Sequence, residues 1–511
     1  TELIENAKLK LVGDYPEEGG HYITVWAPRQ TGKSWVMREV IKRIKEEDEF
    51  EVGVLSLQLA KDVEDEEEVL EIFVDKLQIA FQRDFPKIQR WKEIPSLFSD
   101  TYFSKPLILI IDEFDALKEK FINRFANTFR DMYLERMDQS GVPSGDKSNL
   151  LHGLALIGVR SVLGIENVSG SPFNVQRSVY IPNLDREEVL QIFQDYQDES
   201  GKSIESEVVE RIYYEMQGQP GLTCWFGELL TEERRRHEGD LVMDDFKYVY
   251  SRAQDVEPNN NILNIVSKAR KEEYKPLLLE MFQIGEKLVF RYDNPVINYL
   301  YMNGVVSYEE HEDEMGDYQR YLKFPSPFVQ KRLFNTFSHE LFSGLKRLYD
   351  PFTDLSNTIT PTHLNIEHII RLYEDYLHKN SDWLLKNAPR RKTDEHIYEA
   401  VYHFNLYMYL FHFLQRKASV VPEFPTGNGK IDLVIHHPKN VYLLEIKSFT
   451  NRQVHQEALE QAAEYAQQLA LSESWLITFI ERMDDTQRAS LEVTYHDAAT
   501  GVTVHPLFVT M

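Results

Sequence analysis

The sequence predicts an α/β multidomain chain: a parallel sheet with a helical lid, then a mainly helical middle, then a second α/β domain. Three observations carry this. In the first half, short β-branched runs alternate with longer amphipathic stretches, which predicts a parallel sheet covered on both faces. From Asp185 to about Tyr250 the pattern is wholly helical. After Lys386 a long helix, two strands, another helix and a further strand follow one another.

In chain order, the expected strands of the first half are 21–27, 52–59, 107–112, 154–158 and 178–181, with helices beginning near Lys33, Glu67 and Ala116. The acidic run 62–68 reads as a helix start with a solvated face. The polar break at Glu257-Pro258-Asn259-Asn260-Asn261 ends the lid. A hairpin-like piece at 305–308, an acidic stretch at 309–314 and a turn-rich loop at 351–362 mark the middle. The expected domains are 1–183, 184–256, 257–385 and 386–511.

Composition narrows the function. With 511 residues, 42% apolar and 27% charged, the chain has ample core material. Its 57 Lys and Arg against 83 Asp and Glu give a net charge of −26, which excludes a protein whose whole surface is a nucleic-acid glove. Residues 381–511 hold 12 basic against 16 acidic side chains, so the acidic excess sits in the first two-thirds. The one cysteine, Cys224, excludes a disulfide framework or a cysteine-rich metal site and fits a reducing cytosol. No apolar run approaches the ~20 residues that span a bilayer, and no leader pattern opens the sequence. The expectation is a cytoplasmic protein without a membrane partner, trimmed at its N-terminus.

Ala27-Pro28-Arg29-Gln30-Thr31-Gly32-Lys33-Ser34 lies between an expected strand and an expected helix. That is the context of a P-loop, where backbone N–H groups and a helix N-terminus point at phosphates. Lys33 would reach the β- and γ-phosphates of ATP and Ser34 would ligate Mg²⁺; Ala27 stands where a glycine is usual. The apolar strand 107–111 ends in Asp112 and Glu113, placing Asp112 to hold the metal and Glu113 to polarise the attacking water. Both pieces together, with a strand between them, predict an ASCE-type P-loop sheet.

Beyond these motifs, residues 10–240 resemble the bacterial and archaeal AAA-like ATPases related to the signal-transducing STAND group. The resemblance rests on 27–34 and 107–115, with support from 155–160, 169–174 and Gly218-Gln219-Pro220-Gly221. It implies a γ-phosphate sensor at Arg160 or Ser161, nucleotide contact from Gly218 and Pro220, and association into a homo-oligomer. Arg124 and Arg130 are candidates to serve a neighbouring subunit.

Near the C-terminus, 429–435 reads as a strand, 437–440 as a turn and 441–447 as the returning strand. Alternation puts Glu445 and Lys447 on one face, and the hairpin brings Asp432 alongside. Two carboxylates suit Mg²⁺ or Mn²⁺, and a nearby ammonium suits phosphodiester hydrolysis. Gln461 and Tyr465, at i and i+4 on the next helix, face one site; Glu399 lies on the long helix 394–416. This segment, about 390–485, resembles the PD-(D/E)XK nuclease superfamily. The resemblance makes Asp432, Glu445 and Lys447 its catalytic core, Gln461 and Tyr465 its Gln-x-x-x-Tyr helix, and Glu399 its helix-one metal acid. Ile431-Asp432 replaces the usual Pro-Asp.

The whole chain resembles known bacterial fusions of these two domains, whose middle often includes a winged-helix-like segment; 294–300 and 324–330 fit that piece, and a plain helical spacer fits as well. The expected activity is an ATP-regulated, metal-dependent nuclease acting on nucleic acid, DNA in preference to RNA. Genome defence or mobile-element control is the associated role. Lys386, Arg390, Arg391, Lys392, Arg416 and Lys417 are the phosphate-contact candidates. The rival reading is a nucleotide-dependent signalling or scaffold ATPase whose nuclease fold only binds nucleic acid or a protein partner.

Overall fold

The computed structural model describes residues 2–158, 177–233, 239–282, 288–312, 316–342, 355–356, 358–391, 397–414, 417–423 and 432–510. The chain forms two compact units, one of Thr1–Tyr213, Gln217–Val249 and Tyr292–Gly304, the other of Tyr214–Met216, Tyr250–Arg291 and Val305–Met511.

In the first unit, β1 (Tyr22–Trp26), β2 (Glu51–Ser56), β3 (Leu107–Asp112), β4 (Leu151–Gly158) and β5 (Arg177–Tyr180) form one sheet in the order β2-β3-β4-β1-β5. Every neighbouring pair is parallel. Because β4 separates β1 from β3, the sheet is the ASCE arrangement expected. Helices α1 (Glu2–Val12), α2 (Lys33–Glu47), α3 (Glu66–Phe81) and α4 (Glu119–Asp138) cover it.

The sequence of β3 shows why. Ile108 and Ile110 join a core with Ala7 and Leu11 of α1 and Val36, Met37 and Val40 of α2. Leu107, Leu109 and Ile111 join another, with Phe73 and Leu77 of α3 and Phe121, Phe125 and Phe129 of α4. Five consecutive apolar positions, Leu107 to Ile111, are what a strand in a sheet buried on both faces requires. The acidic run is a helix start: Asp65 caps α3 by accepting from the Glu68 N–H at 2.9 Å, and Glu66, Glu67 and Glu68 fill the first turn. Helix α1 was not among the expected elements. The all-helical stretch resolves into α5 (Arg186–Ser200), α6 (Ser206–Met216), α7 (Pro220–Glu228) and α8 (Met243–Asp255).

In the middle, α9 (Asn260–Ala269) and α10 (Lys275–Met281) lie in the second unit and α11 (Pro295–Met302) in the first. The expected hairpin is longer than its sequence signal, pairing β6 (Ser307–Glu312) with β7 (Tyr318–Lys323), and α12 (Pro327–Phe342) follows. The described middle is mostly helical.

The second unit holds a six-stranded mixed sheet of β8 (Ser419–Glu423), β9 (Asp432–His436), β10 (Val441–Ser448), β11 (Glu473–Ile480), β12 (Tyr495–His496) and β13 (Thr503–Thr510), ordered β12-β13-β11-β10-β9-β8. Helices α13 (Ile366–Leu384), α14 (Glu399–Leu414), α15 (Arg452–Gln468) and α16 (Asp485–Leu491) complete it. Ala458, Ala462, Ala463 and Ala466 lay α15 against Val434, Leu443 and Leu476 of the sheet. On α13 and α14, Tyr373 and Tyr402 pack their rings against Phe479. The long helix begins at Glu399 rather than 394: Ile397 forms an isolated bridge with Arg390, which holds that residue extended. Among the described residues no helix is long and apolar enough to cross a membrane.

Candidate functional site

Two sites emerge, one in each unit. In the first, β1 ends at Trp26 and α2 begins at Lys33, so residues 27–32 form the connecting loop. Gln30 (φ 56°) and Gly32 (φ 84°) adopt the left-handed backbone that curls it. Gly32 caps α2 with no side-chain hydrogen bond to the first turn, which leaves the helix's leading N–H donors for an anion. These donors fit nucleotide phosphates.

The Lys33 ammonium donates to the Ala27 and Pro28 carbonyls at 2.9 and 2.7 Å. Burial pushes its pKa down to about 8, against the pull of Asp115, Asp112 and Glu113. The Ser34 hydroxyl donates to Asp112 Oδ2 at 2.9 Å, joining two motifs 78 residues apart. The Glu113 N–H donates to the other Asp112 oxygen at 2.8 Å. Burial, then the charges of Asp112 and Asp115, push the Glu113 carboxyl above its ordinary range, the direction a proton acceptor near neutral pH needs. Asp115 lies against Gly158, where any Cβ would crowd its carboxylate.

The lid turn reaches this loop. Gln219 Nε2 donates to the Arg29 and Gln30 carbonyls at 3.0 and 3.3 Å, and the Gly221 N–H donates to Gln30 O at 2.9 Å. Sequence reasoning singled out Gly218 and Pro220; the side chain that touches the loop is the Gln219 between them. Gly218 supplies the turn, with φ 64° and no room for a Cβ beside the Leu184 carbonyl. Gly304 packs on Pro28, and Tyr301 lies edge-on to Trp26 at 6.0 Å. Arg124 and Arg130 both lie on α4. Arg160, Ser161 and 169–174 lie outside the described residues.

In the second site, Asp432 pairs directly with Glu445 across the antiparallel β9–β10 ladder. The Lys447 ammonium lies 2.8 Å from Glu445 Oε1. Asp432 and Glu445 are 3% exposed and Lys447 7%, so these charges are held in the interior, where each needs its partner. Val434 and Leu443, in phase with Asp432 and Glu445 along their strands, pack against α15. The three charged groups therefore share the α15 face. Tyr465 is half-buried against that same cluster, and Gln461 lies one turn before it on the exposed side of α15.

Glu399 occupies the first turn of α14. Among the described residues no three His, Cys, Asp or Glu side chains gather as a metal-holding group. Two carboxylates fit Mg²⁺ nonetheless, because that ion keeps several waters and takes only one or two protein carboxylates. His403 is fully buried on α14, and burial, then the charge of Lys447, pushes its imidazole down to about 3. Of the cation candidates, Lys392 and Arg416 lie outside the described residues, as do 429–431.

Sequence reasoning missed β8 and with it Glu423, which pairs directly with Asp432. Three acids, Glu423, Asp432 and Glu445, thus stand at one level of three adjacent strands. The available signal was the β-branched pair Val420-Val421 leading to an acid.

Comparison with known proteins accords with these geometries. Residues 11–235 match the family model of the AAA-like domain, and residues 397–482 that of the PD-(D/E)XK nuclease superfamily. No curated protein matches the chain. Among solved structures, the chain is similar to the Walker-type ATPase PABY2304 of Pyrococcus abyssi (14% identity, 65% of this chain and 94% of that one, TM-score 0.39). It is also similar to Aeropyrum pernix ORC1 in complex with DNA (14%, 67% and 94%, 0.33). A third is the Thermotoga maritima RuvB Holliday junction branch migration motor (12%, 63% and 91%, 0.32). At such scores the fold assignment stays with the strand order and the two family models.

Proposed function

We propose that this chain, an AAA-like domain joined to a PD-(D/E)XK nuclease-superfamily domain, hydrolyses nucleic-acid phosphodiesters under the control of bound ATP. The observation that carries the reading is the in-register Asp432–Glu445 pair with Lys447 at 2.8 Å from Glu445. A pair of acids and a lysine held in the interior on one sheet face has no evident use in packing, and burying them unsolvated is unfavourable.

At the first site the leading N–H groups of α2 and the Lys33 ammonium would hold phosphates, while Ser34 and Asp112 would hold the accompanying ion. Glu113 orients water, and its raised pKa equips it to accept a proton. At the second site Asp432 and Glu445 would hold Mg²⁺ or Mn²⁺, which when bound supplies charge that activates water and steadies the phosphate. Lys447 then orients that water or offsets charge on the phosphodiester. The substrate is nucleic acid, DNA before RNA, reached through local cations such as Lys386, Arg390, Arg391 and Lys417 against an acidic background. The setting is the cytoplasm, as a homo-oligomer, in genome defence or mobile-element control.

The test incubates the full chain with plasmid, linear and single-stranded DNA and with RNA, with Mg²⁺ or Mn²⁺, with and without ATP, beside Lys447→Ala. Cleavage that needs both metal and Lys447 is the expected result. Intact substrates alongside ATP hydrolysis would instead favour a signalling or scaffold ATPase whose second domain only binds.

A further inference from the structure

Lys331 on α12 is 4% exposed, yet nothing in either proposed reaction uses it. Its ammonium sits 3.2 Å from both carboxylate oxygens of Glu423, the residue directly opposite Asp432 in the β8–β9 ladder. It also lies 3.8 Å from Glu215, which is fully buried and accepts the Tyr250 hydroxyl at 2.6 Å. The ammonium stands over the Tyr250 ring at 5.2 Å, and Gln254 donates to the Tyr250 hydroxyl at 3.2 Å. Next in sequence, Gln330 is fully buried, and neither its amide nitrogen nor its oxygen has a partner among the described residues. A buried charge between two acids beside an unsatisfied amide is not an arrangement that maximises stability.

Its position in the chain supplies a purpose. Glu215 is the penultimate residue of α6, and Gln219, four residues on, is the side chain that grips the Arg29 and Gln30 carbonyls of the loop. The Glu215–Lys331–Glu423 contacts all lie inside the second unit, and the Gln219 contacts inside the first. The chain 215–219 runs without a break from one set to the other. A displacement of Gln219 would act four residues along the chain from Glu215, the residue that shares Lys331 with Glu423.

We propose that Lys331 is a positioning residue of the second site, holding Glu423 and through it the β8–β9 register at Asp432, and that its hold depends on whether the loop around Lys33 is loaded. This rests on the reading of the two sites given above, and it names the route by which nucleotide controls cleavage.

Hydrogen exchange on the full chain tests it, following 419–423 and 432–436 with and without a slowly hydrolysed ATP analogue and Mg²⁺. In the unsubstituted protein the analogue changes exchange in both strands by roughly fivefold or more. Lys331→Met abolishes that response and Lys331→Arg retains it, a contrast that loss of packing alone does not produce. Should Lys331→Met fail to fold by circular dichroism, Glu215→Gln carries the same expectation. A response that persists in Lys331→Met or Glu215→Gln, or that is missing from the unsubstituted protein, overturns the proposal. Cleavage is assayed on the same samples: an exchange response without metal-dependent cleavage of any substrate supports the coupling and overturns the nuclease reading alone.

Discussion

The two proposed sites are built from different parts of the chain. Around Lys33 the groups proposed to bind phosphate are mostly backbone: the open end of α2, a curled loop and carbonyls that hold the lysine. Around Lys447 they are side chains, and strand register alone brings them together. A backbone site tolerates sequence variation, since the Ala27 carbonyl that Lys33 meets is one that any residue would supply. A register site does not, because sliding β9 by one residue would turn Asp432 to the opposite face.

Substitutions sharpen this contrast, the largest effect coming first. Lys447→Ala and Asp432→Asn should each lower metal-dependent cleavage by roughly 10²–10⁴-fold while leaving ATP hydrolysis unchanged. Lys33→Ala should do the reverse, lowering ATP turnover by roughly 10²–10³-fold and removing only the ATP-dependent part of cleavage. Parallel turnover assays on the three variants decide it, and equal losses in both reactions would erase the distinction between the sites.

The next effect is a pH dependence confined to the first site. Free Lys33 titrates at about 8, and bound phosphates favour its charged form. ATP affinity should therefore be flat below that pH and weaken above it, by up to about tenfold per pH unit. Titration calorimetry from pH 7 to 9.5 reads this directly, together with proton uptake on binding.

Smaller effects concern the frames that hold the sites. Gly218→Ala places a Cβ against the Leu184 carbonyl at a left-handed turn, and should destabilise the lid by about 1–3 kcal/mol, seen as a lower melting temperature. In the second unit, Glu374 of α13 accepts from Arg488 at 2.7 Å and from the Thr510 N–H at 2.9 Å, tying that helix to β13. Burial opposes its charge, but these partners outweigh burial and hold it at about 2, below its ordinary 4.5. Its contribution to stability is complete above about pH 4.5 and is lost as pH falls toward 2. Glu374→Gln should therefore flatten the acid limb of a plot of melting temperature against pH.

Much of the first site was legible because its signal is local. The loop 27–34 and the strand 107–112 each announce their geometry through neighbouring residues, and the parallel sheet follows from runs such as 107–111, apolar at every position. Gln219 was harder, since a polar residue in a turn looks alike whether it faces solvent or a carbonyl 190 residues away in sequence. In the second site Asp432, Glu445 and Lys447 were readable from one hairpin, whose strands are joined by a short turn. Glu423 was not, because eight residues separate its strand from β9 in the sequence and that strand has only five residues. Helix α1 escaped notice because it precedes every motif, and its burial of Ile4, Ala7 and Leu11 depends on a sheet that forms later in the chain.

The division into two units has a consequence for how the protein comes apart. The chain passes from one unit to the other five times, and Tyr292–Gly304 returns to the first after more than forty residues in the second. That returning segment brings Tyr301 to Trp26 and Gly304 to Pro28, at the mouth of the loop. A fragment ended at residue 249 would keep every nucleotide motif and yet lose this cover. The halves are thus not cassettes to be exchanged at a single junction: to transplant the first unit, one must also carry a strip of chain that follows a stretch of the second.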